Sequence, residues 1–163
     1  MEPNRYFRIL VFFLIIFLAV GAAAADKRFT DNGDGTVTDI ERGLMWAQTD
    51  NNGNVDWHQA QKWVLFTFPY TIGKQYDNWR LPTIAELESL VDPNSSEPGY
   101  ETDCGQRVKL AAPIRLSCGW VWTSEIDPSA PTARVFNFDN VYHYKVRKAH
   151  TRGYRALAVR NIK

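Results

Sequence analysis

A cluster of basic residues near the C-terminal end is the part of this sequence best suited to ligand chemistry. Within eight positions it holds four cations and a histidine, with a tyrosine beside them: Lys145, Arg147, Lys148, His150, Arg152 and Tyr144. Exposed cations grouped in this way attract polyanions, and the affinity falls as the salt concentration rises. We call these six residues the basic cluster and predict that they form a binding surface for an anionic partner.

The charge distribution leaves a second interpretation of the basic cluster open. Residues 134–163 hold eight basic side chains and one acidic side chain, Asp139, whereas residues 26–133 hold seven more acidic than basic side chains. The two regions of opposite charge can therefore pair within one molecule, and the cluster would then be ordinary solvated surface. Nucleic acid would satisfy the same electrostatics, but export, predicted below, argues against it. The partner expected here is an anionic glycan or an envelope protein.

The two cysteines, Cys104 and Cys118, are expected to form one disulfide. In an oxidising compartment such a pair closes a loop of about 15 residues, which is worth roughly 3 kcal/mol by loop entropy. The alternative is a redox or nucleophilic thiol pair, but the sequence has no C-x-x-C spacing and no histidine close to either cysteine.

No arrangement of residues in the sequence predicts catalysis. The three histidines, His58, His143 and His150, are scattered, and His58 lies off the apolar stripe of its predicted helix. There is no nucleophile elbow, no metal-binding helix motif and no glycine-rich phosphate loop. We therefore expect no catalytic residues, no cofactor and no enzymatic activity.

Two acidic segments raise the question of a metal, and neither predicts one. An EF-type loop beginning at Asp31 would need oxygen ligands where the sequence has Gly33 and Gly35, so turn formation explains these residues better. Three acids in a later loop could line a cation site or simply be solvated: Glu97, Glu101 and Asp103. We expect no metal.

The first 25 residues have the pattern of a secretory signal peptide. Two arginines precede an apolar run, residues 9–20, and a small-residue cleavage region that ends at Ala25. The run is shorter than the roughly 20 residues of a membrane-spanning helix, which favours cleavage over an uncleaved anchor. The mature chain, residues 26–163, is then expected to be one exported domain, periplasmic or secreted, without a stable membrane anchor.

The best-defined local element is a helix that begins at Ile84. Thr83 and Glu86 have the spacing of a capping box, in which each side chain accepts a hydrogen bond from the other residue's backbone N–H. Helical periodicity predicts one buried apolar stripe and a solvent-facing side that carries Glu86, Glu88 and Ser89. Asp92, which precedes a proline, is expected to end the helix.

The other elements follow from turn signals and periodicity. A turn rich in glycine, asparagine and aspartate predicts a β-hairpin over residues 28–39, and Asp56 is a good N-cap for a helix over about 57–66. Further along, we predict an irregular stretch (93–117), a strand (119–124), a hairpin (134–138 with 141–146) and a last strand (154–160). In the strand at 119–124, Trp120 and Trp122 are expected to share one face.

Four blocks of the sequence resemble the Lcl C-terminal domain family, a family of secreted bacterial domains. They are Asn-Trp-Arg-Leu-Pro-Thr-Ile-Ala-Glu-Leu-Glu-Ser-Leu (78–90), the first hairpin with Gly-Leu-Met-Trp (43–46), Trp-Val-Trp-Thr-Ser (120–124), and the ending Arg-x-x-x-Val-Arg (155–160). The resemblance implies a C-type-lectin-like fold. It also implies binding of sulfated polysaccharides, because the namesake of the family is regarded as an adhesin for them.

A shorter form of the first block is similar to a string in the formylglycine-generating sulfatase-modifying enzymes. The reactive cysteines of those enzymes lie in a C-terminal motif that this chain lacks, so the resemblance does not carry their activity over.

The sequence thus predicts an α+β fold of C-type-lectin-like type, with two helices on a small, twisted, mostly antiparallel sheet and long loops. The predicted function is an exported, non-catalytic binding module that recognises an anionic polysaccharide or an envelope partner. The alternatives are a sulfatase-modifying-factor-like enzyme and a purely structural envelope protein.

Overall fold

The computed structural model describes residues 28–92, 99–110 and 112–163. The predicted signal peptide lies outside the described residues, as does Glu97. In chain order the elements are β1 (Phe29–Asp31), β2 (Thr36–Asp39), β3 (Leu44–Ala47), α1 (Trp57–Lys62), α2 (Ile84–Glu88), β4 (Tyr100–Glu101), β5 (Arg107–Val108), β6 (Trp120–Ile126), β7 (Thr132–Asn137), β8 (Tyr142–Arg147), β9 (Tyr154–Arg155) and β10 (Val159–Asn161). This confirms the α+β class, with two α-helices and mostly antiparallel strands.

The first sheet has the order β1-β2-β3-β10 and is antiparallel throughout. The predicted hairpin forms its edge. Asp31 and Asp34 each accept a hydrogen bond from the backbone N–H two residues later, and Gly33 and Gly35 adopt positive φ angles of 71° and 92°. Only glycine adopts such angles without steric cost, so the acidic, glycine-rich turn is explained by backbone geometry.

The second sheet has the order β8-β7-β6-β9. The predicted strand at 119–124 is β6, and the predicted C-terminal hairpin is β7 and β8, which pair in register from Thr132 opposite Arg147 to Asn137 opposite Tyr142. Strand β9 joins the other side of β6 and runs parallel to it. One small sheet was expected, but the described chain builds two four-stranded sheets and the two-stranded sheet β4-β5. That last sheet lies inside the stretch predicted to be irregular.

The prediction of a single last strand over residues 154–160 is wrong, because this segment crosses from one sheet to the other. Its first residues pair with β6, and Val159–Asn161 pairs with β3. Between the two strands, the Ala156 carbonyl accepts a hydrogen bond from Asn51, and the Ala158 carbonyl accepts one from Ala47. All three crossing residues, 156–158, are fully buried. The segment therefore joins the two sheets through the core.

The two helices begin where the sequence predicts and end earlier. Asp56 caps α1, but the α-helix ends at Lys62 and continues as a π-helical turn, Trp63–Thr67, and a 3₁₀ turn, Phe68–Tyr70. Helix α2 ends at Glu88 rather than at Asp92. After Glu88 the backbone tightens to i→i+3 hydrogen bonds, and Val91 pairs with Leu110 in an isolated bridge. That bridge draws the chain out of helical geometry.

The core lies between the sheets and the helices and is rich in aromatic residues. Its largest fully buried side chains come from strands of both sheets, from α2 and from residues next to these elements: Trp46, Trp122, Phe136, Phe138, Leu81, Leu87, Leu90 and Leu157. In the part of the chain that the structure describes, no helix has the length and apolar character needed to cross a membrane.

Candidate functional site

The basic cluster does not form one continuous surface. Successive side chains of a strand point to opposite faces of a sheet, so Tyr144 of β8 faces one way while Lys145 and Arg147 face the other. The register of β7 and β8 places Tyr144 opposite the buried Val135 and places Lys145 opposite Arg134. The structure therefore separates the cluster into two surfaces.

We call the first surface the lysine face. Lys145 lies there in an open cleft of about 410 Å³ with Arg134, Glu125 and Asp127. Arg134 Nε lies 3.9 Å from Glu125 Oε2. Hydrogen bonds from Ser129 lower the pKa of Asp127, with a further contribution from two lysines of the basic cluster. Two carboxylates thus offset part of the positive charge on this face.

The second surface is aromatic and centres on Trp120 of β6, which is half-buried. The Trp120 ring packs edge-on against Tyr144 at 5.1 Å and against Tyr154 at 6.3 Å between centroids. The hydroxyls of Tyr144 and Tyr154 lie 3.2 Å apart. Burial, together with the contact to Tyr144, raises the pKa of the Tyr154 hydroxyl well above its usual value. The exposed His150 packs edge-on against Tyr154 at 5.6 Å, so this basic-cluster residue lies on the aromatic side.

An open groove of about 510 Å³ adjoins Trp120, and we call it the disulfide groove. It is lined by residues from four segments of the chain, of which Trp120 and Arg155 lie in strands and the others in loops: Asn54, Asp103, Cys104, Gln106, Cys118, Trp120, Arg152, Gly153 and Arg155. The expected Cys104–Cys118 disulfide is confirmed, with 5.2 Å between the Cα atoms. It fixes the loop that carries Asp103 and Gln106 beside the start of β6, and Gln106 Oε1 accepts the Gly119 N–H at 3.0 Å.

A buried polar network supports the base of the groove. Arg155 Nε donates to Ser117 Oγ at 2.7 Å, and Arg155 Nη1 donates to Asn54 Oδ1 at 2.7 Å. Ser117 Oγ in turn donates to Asp50 Oδ1 at 2.9 Å, and the Ser117 N–H donates to Asp50 Oδ2 at 2.7 Å. Burial raises the pKa of Asp50 although these hydrogen bonds and Arg155 oppose the shift. Arg155 is therefore committed to the protein's own groups.

Arg152, by contrast, lies exposed on the rim of the groove. The ion pairs found within the described residues do not include Arg152, Lys145, Arg147 or Lys148. Lys148 extends over the ring of Trp57, with its Nζ 5.0 Å from the centroid. The groove thus has one exposed guanidinium next to a half-buried indole.

The sequence places Tyr154 close to the basic cluster, but sequence reasoning missed the contribution of Trp120 and Asn54 to this site. A partial signal was present, because alternation along β8 already separates Tyr144 from its neighbour Lys145. The approach of Asn54 and Tyr154 to Trp120 could not be predicted, since it depends on the parallel pairing of β9 with β6.

The string Arg-Leu-Pro-Thr-x-x-Glu forms a structural clamp away from the groove. Arg80 Nη1 and Nη2 donate to the two carboxylate oxygens of Glu86, at 2.8 and 2.6 Å, and Glu86 also accepts the Thr83 N–H at 2.8 Å. The Arg80 backbone pairs with Val159 of β10 in both directions. The clamp therefore fixes the first turn of α2 to the first sheet.

The prediction that Glu86 faces solvent is wrong, because its carboxylate is enclosed by the clamp and its side chain is 16% exposed. Glu88 is exposed as predicted. Ser89 is half-buried, and its carbonyl accepts a hydrogen bond from Arg28 Nη1 at 3.0 Å. Periodicity identified the apolar stripe but not these polar contacts, which involve residues outside the helix.

Across residues 28–92, 99–110 and 112–163, no group of three or more His, Cys, Asp or Glu side chains is placed to hold a metal ion. The groove is lined by an indole, two guanidinium groups (the exposed Arg152 and the buried Arg155), two side-chain amides, the disulfide and one carboxylate, Asp103. These groups suit hydrogen bonding and stacking with a polar ligand.

Comparison with protein families identifies one family whose model matches most of the chain. The model of the Lcl C-terminal domain matches residues 35–160, a range that includes the clamp, α2, the disulfide loop and both four-stranded sheets except for β1 and the last residue of β10. A comparison with curated proteins found no match. Because the family model covers well over half of the chain, this protein belongs to the Lcl C-terminal domain family.

Proposed function

We propose that this domain is an exported, non-catalytic module that binds an anionic polysaccharide through the disulfide groove. The observation that carries the proposal is that a half-buried indole, Trp120, and an exposed guanidinium, Arg152, line one open groove. Aromatic side chains offer an amphipathic contact surface. A guanidinium recognises sulfate or carboxylate groups through two parallel hydrogen bonds.

The geometry around Trp120 favours binding because the ring is already fixed. Tyr144 and Tyr154 pack against it in T-shaped geometry, so little side-chain entropy is lost when a ligand packs on it. Asn54 and Asp103 line the same groove and are exposed. The Asp103 carboxylate can accept hydrogen bonds from sugar hydroxyls. Asn54 Oδ1 already accepts from Arg155 Nη1 and the Gly153 N–H, so Asn54 offers a ligand its side-chain amide N–H groups.

In this proposal the lysine face attracts the ligand without contacting it. Lys145 and Arg147 are on the opposite face of β8 from Tyr144, and their charge is partly offset by Glu125 and Asp127. Exposed charges act over about 10 Å at 0.1 M ionic strength, which is far enough to raise the association rate of a polyanion.

The groups in the groove support binding rather than hydrolysis. Glycoside cleavage ordinarily uses two carboxyl groups on either side of the scissile bond, whereas the groove is lined by a single acid, Asp103. Asp50 lines a neighbouring cleft, where it accepts hydrogen bonds from Ser117 and the Asn52 N–H. Export is supported by the disulfide, since disulfides persist in oxidising compartments.

Retention on a heparin column, eluted with a salt gradient, tests the proposal. Arg152→Gln removes one exposed cation from the groove, and Arg147→Gln removes one exposed cation from the other face of β8. We expect the Arg152 variant to elute at clearly lower salt than the native protein and the Arg147 variant to elute close to it.

Equal shifts for the two variants would show that net charge alone governs retention, and the groove would lose its role. A native protein that passes through the column unretained would refute anionic glycan binding. Gel filtration of heparin incubated with the native protein tests the non-catalytic part, and a decrease in heparin size would contradict it.

A further inference from the structure

The π-helical turn after α1 and the 3₁₀ turn that follows it carry three exposed apolar side chains that do not pack in the core. Phe66 is 68% exposed, Tyr70 is 80% exposed and Leu65 is 48% exposed. We call these three residues the π-turn patch. Single exposed apolar residues are common on protein surfaces, but three large ones within six positions form a local feature that suggests an interaction site.

The wide turn explains why these side chains point outward. The Phe68 N–H donates to the Trp63 carbonyl, which is the i→i+5 bond of a π-helix, and the two rings pack at 5.2 Å between centroids. Phe68 also packs edge-on against the buried Trp79 at 4.8 Å. Trp63 and Phe68 thus anchor the two ends of the turn to the core. Leu65 and Phe66 lie between these two rings in the sequence and are exposed. Such π-bulges are frequent at functional sites.

We infer that the π-turn patch is a docking surface for an anionic lipid membrane. Residues 57–76 contain no aspartate or glutamate, and they contain Lys62 and Lys74. Asp34 of the first hairpin packs on this segment at Gly73, and its carboxylate accepts hydrogen bonds from the Tyr76 hydroxyl and the Thr36 N–H. Both lysines are exposed. Segments that lie in the membrane interface typically combine phenylalanine, tyrosine and leucine with lysine. Their apolar side chains enter the boundary between headgroups and acyl chains, and their cations contact acidic lipids.

The charge of this surface argues against pairing with a second copy of the chain. In a two-fold symmetric dimer the same patch meets itself, so Lys62 and Lys74 would face cations of the same type. A membrane that contains acidic lipid complements both the apolar and the cationic part of the surface. This docking surface is separate from the disulfide groove, and it does not depend on glycan binding.

Co-sedimentation with vesicles tests the inference. The protein is purified after export, and mass spectrometry of its N terminus confirms that the apolar run at residues 9–20 is absent. The vesicles contain phosphatidylcholine alone or a mixture with phosphatidylglycerol. The double variant Phe66→Ser/Tyr70→Ser removes the two most exposed apolar side chains of the patch. Ile40→Ser/Tyr142→Ser is the matched control, since these residues are 64% and 60% exposed outside the patch.

We expect the native protein to sediment with the mixed vesicles and to bind phosphatidylcholine alone far more weakly. The patch variant should lose about tenfold or more of its affinity, and the control should bind as the native protein does. Lys62→Gln/Lys74→Gln should weaken binding about 30-fold at low salt, since each cation near an acidic surface contributes about 1 kcal/mol.

Failure of the native protein to sediment with the mixed vesicles would overturn the inference, as would equal binding by the patch variant and the control. Sedimentation velocity of the same samples provides a further test. If the native protein does not bind vesicles but self-associates, and Phe66→Ser/Tyr70→Ser abolishes the self-association, the patch would be a dimer interface instead.

Discussion

Replacing Glu86 by glutamine should destabilise the domain by about 1–3 kcal/mol. The carboxylate accepts two hydrogen bonds from the Arg80 guanidinium and one from the Thr83 N–H. Hydrogen bonds to charged groups are worth about 1.5–3 kcal/mol net, and the figure is reduced here because the Arg80 side chain is 37% exposed. Glutamine keeps an acceptor for the cap, but it turns an amide N–H toward Arg80.

Urea denaturation measures the effect, with Glu88→Gln as the matched control. Glu88 lies two residues further along the same helix and is exposed, so its replacement should change stability by no more than about 0.5 kcal/mol. A double-mutant cycle with Arg80→Met should give a coupling energy of about 1–2 kcal/mol between positions 80 and 86.

The pH dependence gives an independent check on the same contact. Burial by itself would raise the pKa of Glu86, but hydrogen bonds from Arg80 and Thr83 outweigh it and lower the pKa. A carboxyl group with a lowered pKa contributes stability above its unfolded-state pKa, and that stability is lost as the pH falls through the folded-state value. The Glu86→Gln variant should therefore lose less stability on acidification than the native protein. Equal stabilities, equal acid profiles and a coupling energy near zero would refute the clamp.

Three further perturbations test other parts of the structure. Replacing Cys104 and Cys118 with serine should lower stability by about 3 kcal/mol, measured by urea denaturation with and without reductant, and reductant should then have no effect on the variant. Gly99→Ala should destabilise by at least about 1–2 kcal/mol, because Gly99 has φ +74° and an added Cβ would overlap the Val108 carbonyl; an unchanged midpoint would contradict this geometry. Burial raises the pKa of Asp50, so the native protein should lose stability as the pH rises from the ordinary aspartate pKa through the raised value in the folded state. Asp50→Asn should remove this loss, and identical pH profiles of stability for the two proteins would contradict the prediction.

Features that depend on nearby residues were predictable from the sequence. Both helix starts were predicted, because Asp56 and Thr83 cap the chain through contacts within three residues. The first hairpin follows in the same way from its acidic, glycine-rich turn. The disulfide was predicted from compartment and loop length, and the structure confirms it.

Features that depend on distant partners were not predictable. The division of the last strand follows from two different partners, β6 for Tyr154–Arg155 and β3 for Val159–Asn161. The burial of Glu86 follows from Arg80, which lies outside the helix on which periodicity was judged.

The extent of α1 and the basic cluster show the same limit. The π-helical turn depends on the packing of Trp63 and Phe68 against the core, which the spacing of apolar residues does not reveal. The basic cluster is compact in sequence, yet alternation along β8 places Tyr144 on one face of the sheet and Lys145 and Arg147 on the other. Its role in ligand binding stays a prediction.

The most direct test of the account is an NMR titration of ¹⁵N-labelled protein with a size-defined heparin oligosaccharide. Each indole N–H gives a separate signal that single tryptophan substitutions assign. We predict that the largest shifts occur at the Trp120 indole and at the backbone amides of Arg152 and Gly153, with small shifts at Lys145 and Arg147. Shifts confined to the lysine face, or no shifts at all, would contradict binding in the disulfide groove.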